Sequence, residues 1–375
     1  MNRFEIFLMA PPGLESVLQD EVRAAGFADP RQVPGGVTIE GGWPDVWRAN
    51  LCLRGAGRVM ATIGEFRAFH LAQLDKRARK FPWAEVLRPD VPVRVEASSR
   101  KSKIYHEGAA VQRIETALRE ELGVTIDPAA DVTIRARIDD NLVTLAVDTS
   151  GEPLHKRGHK QAVGKAPMRE TMAAMFLRAC GYTGTEPVLD PMCGSGTFVI
   201  EAAEIAAGLL PGRGRSFAFE RLATFDPAAW DALKPAVPPA LPDLRFHGSD
   251  RDAGAFGMAR ANAERAGVSD LCAFEKRTIS DLVAPDGPPG LVIVNPPYGG
   301  RIGDKKPLYG LHGALGEVLR TRFAGWRVGI VTSETSLARA TGLPFASESA
   351  PVAHGGLRVR LFQTGPLPAS AAMSG

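Results

Sequence analysis

The sequence predicts an α/β protein whose C-terminal half is a doubly wound, mostly parallel sheet, preceded by smaller α+β regions. Three observations carry this. From about residue 165, short apolar runs such as PVLD, LVIVNPPY and RVGIVTS alternate with stretches of helical period, and runs that are apolar throughout mark strands covered on both faces. Before that point the strands read differently: VPVRVEAS alternates apolar with polar, as a half-exposed strand does. A chain of 375 residues with 45% hydrophobic content is also long enough for two or three domains.

Taken in order, FEIFLMA reads as a strand, and PGLESVLQDEVRAAG as a helix with Leu14, Val17, Leu18 and Val22 on one face and Gly26 as its stop. A strand at VTIEGG and a helix at WPDVWRANLCLR complete a first α+β unit, expected over 1–65. A second unit, expected over 66–155, contains VPVRVEAS, the helical AAVQRIETALREELG, and two strands in VTIRARIDDNLVTLAVDT around an Asp-Asp-Asn turn. Its cations fall in two runs, Lys76, Arg77, Arg79 and Lys80, then Arg100, Lys101 and Lys103. Solvated surface is the ordinary fate of such residues, and a phosphate-contacting face is the sharper reading.

Residues 156–168 read as a linker. Positive charge at Lys156, Arg157 and Lys160, beside a domain junction, suggests part of a nucleic-acid path. His155 and His159 would share a helical face, but no acidic or thiol partner stands at ligand spacing, so no metal is expected. The alternating region then supplies helices at MRETMAAMFLRACG, TFVIEAAEIAAG, DAGAFGMARANAERAG and around LHGALGEVLRTRF, with strands at PVLD, LRFHGSD, CAFEKR, LVIVNPPY and RVGIVTS. The stretch from Gly208 to Asp243 carries five prolines between Pro227 and Pro242 and reads as a surface loop, and the end, from 367, as a loose tail.

Global charge excludes little, because 45 Lys plus Arg against 42 Asp plus Glu leaves only +3. The four cysteines are scattered with no CxxC pair, which suits a reducing cytoplasm. No run approaches ~18 apolar residues and the N-terminal apolar run is too short for a signal peptide, so a soluble protein is expected, with a monomer favoured.

Chemistry concentrates at the ends of the C-terminal strands, where ligands of such sheets bind. In VLDPMCGSGTFVIEAA a strand ends on Asp190, a turn carries Gly194, Ser195 and Gly196, and a helix opens near Thr197. Glycines there let a ligand approach the backbone, and the helix start offers free N–H groups. A Walker loop is excluded by the missing Lys, and the dinucleotide fingerprint is incomplete, with Phe198 and Val199 in the interval where its third Gly would stand. Asp250 ends the next strand, where it can accept from ribose hydroxyls or cap the following helix. Asp281 is placed to accept from an adenine amine, or to cap a helix. After LVIV, Asn295 and Pro296 can aim two carbonyl oxygens at one NH2 group, and Tyr298 can lie flat on the ring bearing it.

DPMCGSGT together with NPPY resembles the class I S-adenosylmethionine-dependent amino-methyltransferases. The stretches DTSGEPLHKRGHK and KAPMRETMAA resemble the THUMP-domain RNA guanine-N2 methyltransferases, over nearly the full length. His159 stands where an aromatic is expected in many relatives. The resemblance implies a ferredoxin-like region at 1–65, a THUMP RNA-binding domain at 66–155 and a Rossmann-like methyltransferase domain at 169–366. It also implies a cofactor held by Asp190, Cys193, Gly194, Ser195, Gly196, Thr197, Asp250, Arg251, Asp281 and Asn295, with Arg169 and Glu170 bordering its methionine end. Asn295, Pro296 and Tyr298 become the catalytic group, acting on guanine N2 of structured RNA, 23S rRNA ahead of tRNA. An adenine-N6 enzyme, a protein glutamine methyltransferase and an RNA-binding module without transfer are the rivals.

Overall fold

The computed structural model describes residues 3–161, 168–236, 240–297 and 306–369. It divides into two compact units. The N-terminal one is built from 1–10, 18–154 and 212–236, and the C-terminal one from 11–17, 155–211 and 237–375.

The N-terminal unit is a single sheet of seven strands: β1 (Phe4–Met9), β2 (Arg31–Val33), β3 (Gly36–Gly41), β4 (Val59–Arg67), β5 (Val93–Arg100), β6 (Val132–Asp139) and β7 (Leu142–Asp148), in the order β2-β3-β1-β4-β7-β6-β5. The expected boundary at 65/66 falls inside β4, which pairs with β1 through one part of its length and with β7 through another. Both expected halves therefore share one hydrogen-bonded sheet. Helices α1 (Glu15–Ala24), α2 (Trp43–Cys52), α3 (Leu71–Arg79) and α4 (Glu107–Glu121) accompany it. The Asp-Asp-Asn turn is as read: Asp140 and Asn141 take φ of 48° and 61°, the left-handed pair that a two-residue hairpin needs.

One expectation is corrected here. The proline-rich insertion is not simply surface loop, because Phe217, Phe219 and Trp230 are buried. Trp230 lies on α7 (Pro227–Ala232), its ring 5.1 Å from Phe219, and Phe219 meets Trp47 at 6.2 Å. The prolines drew attention away from aromatics that carry apolar area large enough to anchor the segment.

The C-terminal unit contains α5 (Glu170–Ala179), β8 (Val188–Asp190), α6 (Thr197–Ala206), β9 (Phe246–Asp250), α8 (Ala253–Ala266), β10 (Cys272–Lys276), β11 (Leu291–Val294), α9 (Lys306–Arg322), β12 (Arg327–Thr332), α10 (Thr335–Ala340), β13 (Phe345–Glu348), β14 (Val352–His354) and β15 (Leu357–Thr364). Its order is β10-β9-β8-β11-β12-β15-β13, parallel from β10 to β12, with β15 antiparallel to β12, β13 and β14. Strand order reverses between β8 and β11, so the crevice for a ligand lies beyond Asp190 and Val294. β11 is buried at all four positions, and Val292 and Val294 pack with Leu315, Leu319 and Phe323 of and after α9.

Two more expectations change. The tail does not begin at 367: Leu367 is 2% exposed, belongs to that core, and exchanges backbone hydrogen bonds with Gly325 and Trp326. The stretch expected as a linker is built into the C-terminal unit up to Lys160, through Arg157 on Glu201 and Lys160 on Glu170.

Candidate active site at the strand ends

Asp190 ends β8 with 3% exposure, and its carboxylate accepts from the Met192 N–H at 3.0 Å. No basic side chain among the described residues pairs with it. Burial pushes its carboxyl up to about 8, opposed by the Met192 hydrogen bond and reinforced by Asp250.

The turn that follows is fixed by backbone bonds from Cys193 N to Ser249 O and from Gly196 N to Cys193 O. Its glycines do different jobs. Gly194 (φ 52°) faces open space, so a ligand can reach its backbone. Gly196 (φ 83°) faces inward, where a Cβ would stand 3.1 Å from Ala259 and 3.3 Å from the Phe274 ring. The expectation that both glycines admit a ligand is corrected to Gly194 alone, with Gly196 needed for left-handed backbone and close packing. Side chains of the motif are also occupied internally. Thr197 accepts from Lys160 Nζ at 2.9 Å, Cys193 is 6% exposed, and Ser195 is 7% exposed with its carbonyl accepting from Asn262 Nδ2 at 3.0 Å. Asn262 is wholly buried on α8, so one helix holds the turn from beneath.

Asp250 accepts from Gly194 N at 3.1 Å and from Asp252 N at 3.0 Å. Capping of α8 falls to Asp252, which accepts from Gly254 N at 2.8 Å, leaving Asp250 at the crevice. Asp281 is exposed, accepts from the Thr278 hydroxyl at 2.7 Å, and lies outside the lining of the cavity described below, whose wall at that level is Thr278, Ile279 and Ser280.

Asn295 and Pro296 follow β11 directly. The Asn295 Oδ1 atom is buried and has no hydrogen-bond partner among the described residues, a state that costs about 1–3 kcal/mol and calls for a reason. Tyr298 lies outside the described residues.

Asp250, Asn295 and Pro296 line a cavity of about 680 Å³, beside which Asp190 lies buried one residue before its wall at Pro191, and the volume is within the range of small-molecule sites. It is lined from successive strand ends by Pro191 and Met192, Asp250 and Arg251, Arg277 to Ser280, and Asn295 to Pro297, and closed by Leu311 and Ala314 of α9 and by His354, Gly355 and Leu357. The last group was missed in the sequence, although His-Gly-Gly before an apolar run is a hairpin signal. His354 is 8% exposed, its Nε2 has no partner, and burial, then Arg169 and Lys160, lower its pKa. Arg169 stands exposed at the start of α5, while Glu170 is 4% exposed and paired with Lys160 at 3.5 Å.

Three expected RNA contacts are occupied within the protein. Arg157 is 5% exposed and meets Glu201 at 3.1 Å, and Lys160 is held by Glu170, Thr197 and the Met168 carbonyl. Both are corrected to internal supports of α5 and α6. Arg79 is clamped by Asp75, Glu120 and Glu121, tying α3 to α4. Lys76, Arg77, Lys80, Lys101, Lys103 and Lys156 are exposed, and Arg100 is exposed while paired with Asp139. Among the described residues, no helix is long and apolar enough to cross a membrane, and no group of three or more His, Cys, Asp or Glu is gathered to hold a metal ion.

Comparison with known proteins agrees with this geometry. Residues 157–361 match the model of the family UPF0020, described as an RMKL-like methyltransferase domain, and residues 5–60 match the RlmL ferredoxin-like domain. The ribosomal RNA large subunit methyltransferase K/L of Syntrophotalea carbinolica is 35% identical over 361 residues, 90% of this chain and 50% of that protein. The chain thus spans about half the length of this curated relative. A solved possible methylase from Clostridium difficile 630 superposes with a TM-score of 0.88 at 28% identity, over 99% of this chain and all of that one. The putative methyltransferase SMU.472, solved in complex with SAH, superposes at 0.84 with 28% identity over 99% of this chain and all of that one.

Proposed function

We propose that this chain, which belongs to the UPF0020 family of RMKL-like methyltransferase domains, transfers a methyl group from S-adenosylmethionine to the exocyclic N2 of a guanosine in structured RNA, with 23S rRNA its first candidate. The observation that carries this is the buried, partnerless carboxamide oxygen of Asn295, held at the mouth of β11 on a cavity of cofactor size.

The residues fit the cofactor. Asp190 offers a buried carboxyl with no cation of its own for an ammonium, Gly194 leaves its backbone open, and Asp250 presents a carboxylate beside it for ribose hydroxyls. Bound there, S-adenosylmethionine supplies an electrophilic methyl group. The chain's own work is done on the substrate. A guanine amine is a poor nucleophile because its lone pair is delocalised into the ring. Accepting its two N–H bonds at Asn295 Oδ1 and the Pro296 carbonyl localises that pair, and aims it along one line. Withdrawing the base from its stack costs a few kcal/mol unless the site is already unpaired.

RNA is the favoured substrate because Lys76, Arg77, Lys80, Arg100, Lys101 and Lys103 are exposed between 66 and 155, with Lys156 exposed just beyond. That region is proposed to serve as a THUMP domain. The name of the curated relative adds support for rRNA. Incubation with labelled S-adenosylmethionine and either total rRNA or total tRNA, followed by digestion to nucleosides, tests the proposal. N2-methylguanosine from the rRNA is expected. N6-methyladenosine, or no labelled nucleoside from either RNA, would refute it.

A further inference from the structure

One end of the N-terminal sheet is chemically unlike the rest of that unit. Phe69, just after β4, is 41% exposed, and Tyr105, between β5 and α4, is 83% exposed. Aromatic rings carry large apolar area, and two of them stand in water on loops that both meet Asn141. Cations are interleaved with them. The Lys103 ammonium lies 5.7 Å from the centre of the Phe69 ring, and Arg67, Arg100 and Lys101 stand on the same loops. Three acids share this end: Asp139 is held between Arg100 and Arg137, each at 2.7 Å, Glu107 accepts from Ser99 N at 2.9 Å, and Asp140 is exposed in the turn, against the cations Arg67, Arg100, Lys101, Lys103 and Arg137.

The loops that carry these side chains are built, not loose. Asn141, in the β6–β7 turn, joins them. Its carbonyl accepts from Ala68 N at 3.0 Å, its side-chain oxygen from Lys103 N at 2.9 Å, and its own N–H donates to the Ser102 hydroxyl at 3.0 Å. Arg67 donates to the Asp140 carbonyl at 3.0 Å. Among the described residues four non-glycine side chains take a left-handed backbone, and three of them, Lys101, Asp140 and Asn141, are here. The hairpin itself accounts for Asp140 and Asn141, which leaves Lys101, a residue type that rarely takes this backbone, held in it by the loop.

We propose that Phe69, Lys103 and Tyr105 form a stacking platform that captures unpaired bases of an RNA strand. The rings supply faces that any base can stack on, and Lys103, Lys101 and Arg67 supply charge for the phosphates between them. A rim of cations around separated rings suits a nucleic acid strand, which offers phosphates to the charges and base faces to the rings. The platform rests on the reading that the substrate is RNA, and it adds where an unpaired segment is gripped.

Binding of the full-length protein to a short unstructured RNA oligonucleotide, and to a blunt RNA duplex, is measured by fluorescence anisotropy for the wild type, Phe69→Ala, Tyr105→Ala, Tyr105→Phe and Lys103→Gln. Each alanine substitution is expected to weaken single-strand binding roughly five- to 150-fold, with Tyr105→Phe retaining affinity and duplex binding little changed. Lys103→Gln is expected to flatten the salt dependence, which Tyr105→Ala leaves as it was. Unchanged single-strand affinity in both alanine variants would overturn the platform and assign the rings to another class of partner. Equal loss on duplex and single strand would overturn it as well. Methyl transfer by the wild type is read in parallel. Active wild type with an unaffected Tyr105→Ala refutes the platform alone, and inactive wild type with lost single-strand affinity refutes the transfer reading alone.

Discussion

The carboxylate of Asp250 accepts a hydrogen bond from the backbone N–H of Gly194, 3.1 Å away and 56 positions earlier in the chain. It links the end of β9 to the turn after β8, so the residue proposed to hold the ribose also sets the height of the loop under the cofactor. A hydrogen bond to a charged group contributes about 1.5–3 kcal/mol. Asp250→Ala is therefore expected to weaken S-adenosylhomocysteine binding at least about tenfold, measured by calorimetry, with Asp250→Asn losing less. Unchanged affinity in the alanine variant would reject the ribose role.

Asn295→Ala separates chemistry from binding. Loss of one aimed partner of a reacting group costs about 10²–10³ in kcat, while Asp190, Gly194 and Asp250 stay in place to bind the cofactor. The substitution also deletes a buried acceptor that has no partner, so thermal stability should hold or rise. Single-turnover methylation with calorimetry and a melting curve checks all three. A fall in cofactor affinity equal to the fall in transfer would move Asn295 out of the amine-binding role.

Much of the site was legible because its residues sit where regular elements stop. β8 and β11 are short apolar runs, closed by Asp190 and followed by Asn295, and β9, FHGSD, ends on Asp250, so a polar residue marks each strand end in the sequence itself. What was not legible depends on contacts between distant segments. Nothing in LHKRGHK announces that Arg157 meets Glu201, 44 positions later, so its charge read as surface. Gly194 and Gly196 look equivalent in GSG, and only the packing of Ala259 and Phe274 distinguishes them. The seven-stranded N-terminal sheet was read as two units because no strand was assigned to VMATIGEFR, the β4 that pairs with both β1 and β7. His354 reached the cavity through a hairpin whose partner strand had not been recognised.

The Arg157–Glu201 pair gives a test of the corrected assignment. Both side chains are almost fully buried, at 2% and 1% exposure, and removing one partner of such a pair typically costs 3–5 kcal/mol, roughly, because the other charge stays desolvated. Arg157→Leu should therefore lower the urea midpoint strongly, and Arg157→Leu with Glu201→Leu should recover much of the loss. Were Arg157 an RNA contact, its replacement would leave stability alone and weaken RNA binding, and that result would restore the original reading.

Asp190 makes cofactor binding depend on pH. Burial holds its carboxyl protonated up to about 8 in the unliganded protein, while the unfolded chain ionises it in the ordinary carboxylate range. Its proton is thus bound in the folded state and absent in the unfolded one between those limits, so its contribution to stability declines as pH rises through that window. An ammonium seated against it favours the carboxylate and expels the proton. Calorimetry of S-adenosylhomocysteine binding at pH 7, in two buffers of different ionisation heat, is expected to show up to about one proton released per site. Affinity should rise between roughly pH 6 and 8 by this route. Asp190→Asn should abolish both the release and this part of the pH dependence. Equal heats in the two buffers for the wild type would show that no proton leaves Asp190 on binding, and unchanged affinity in Asp190→Asn would remove it from the cofactor site.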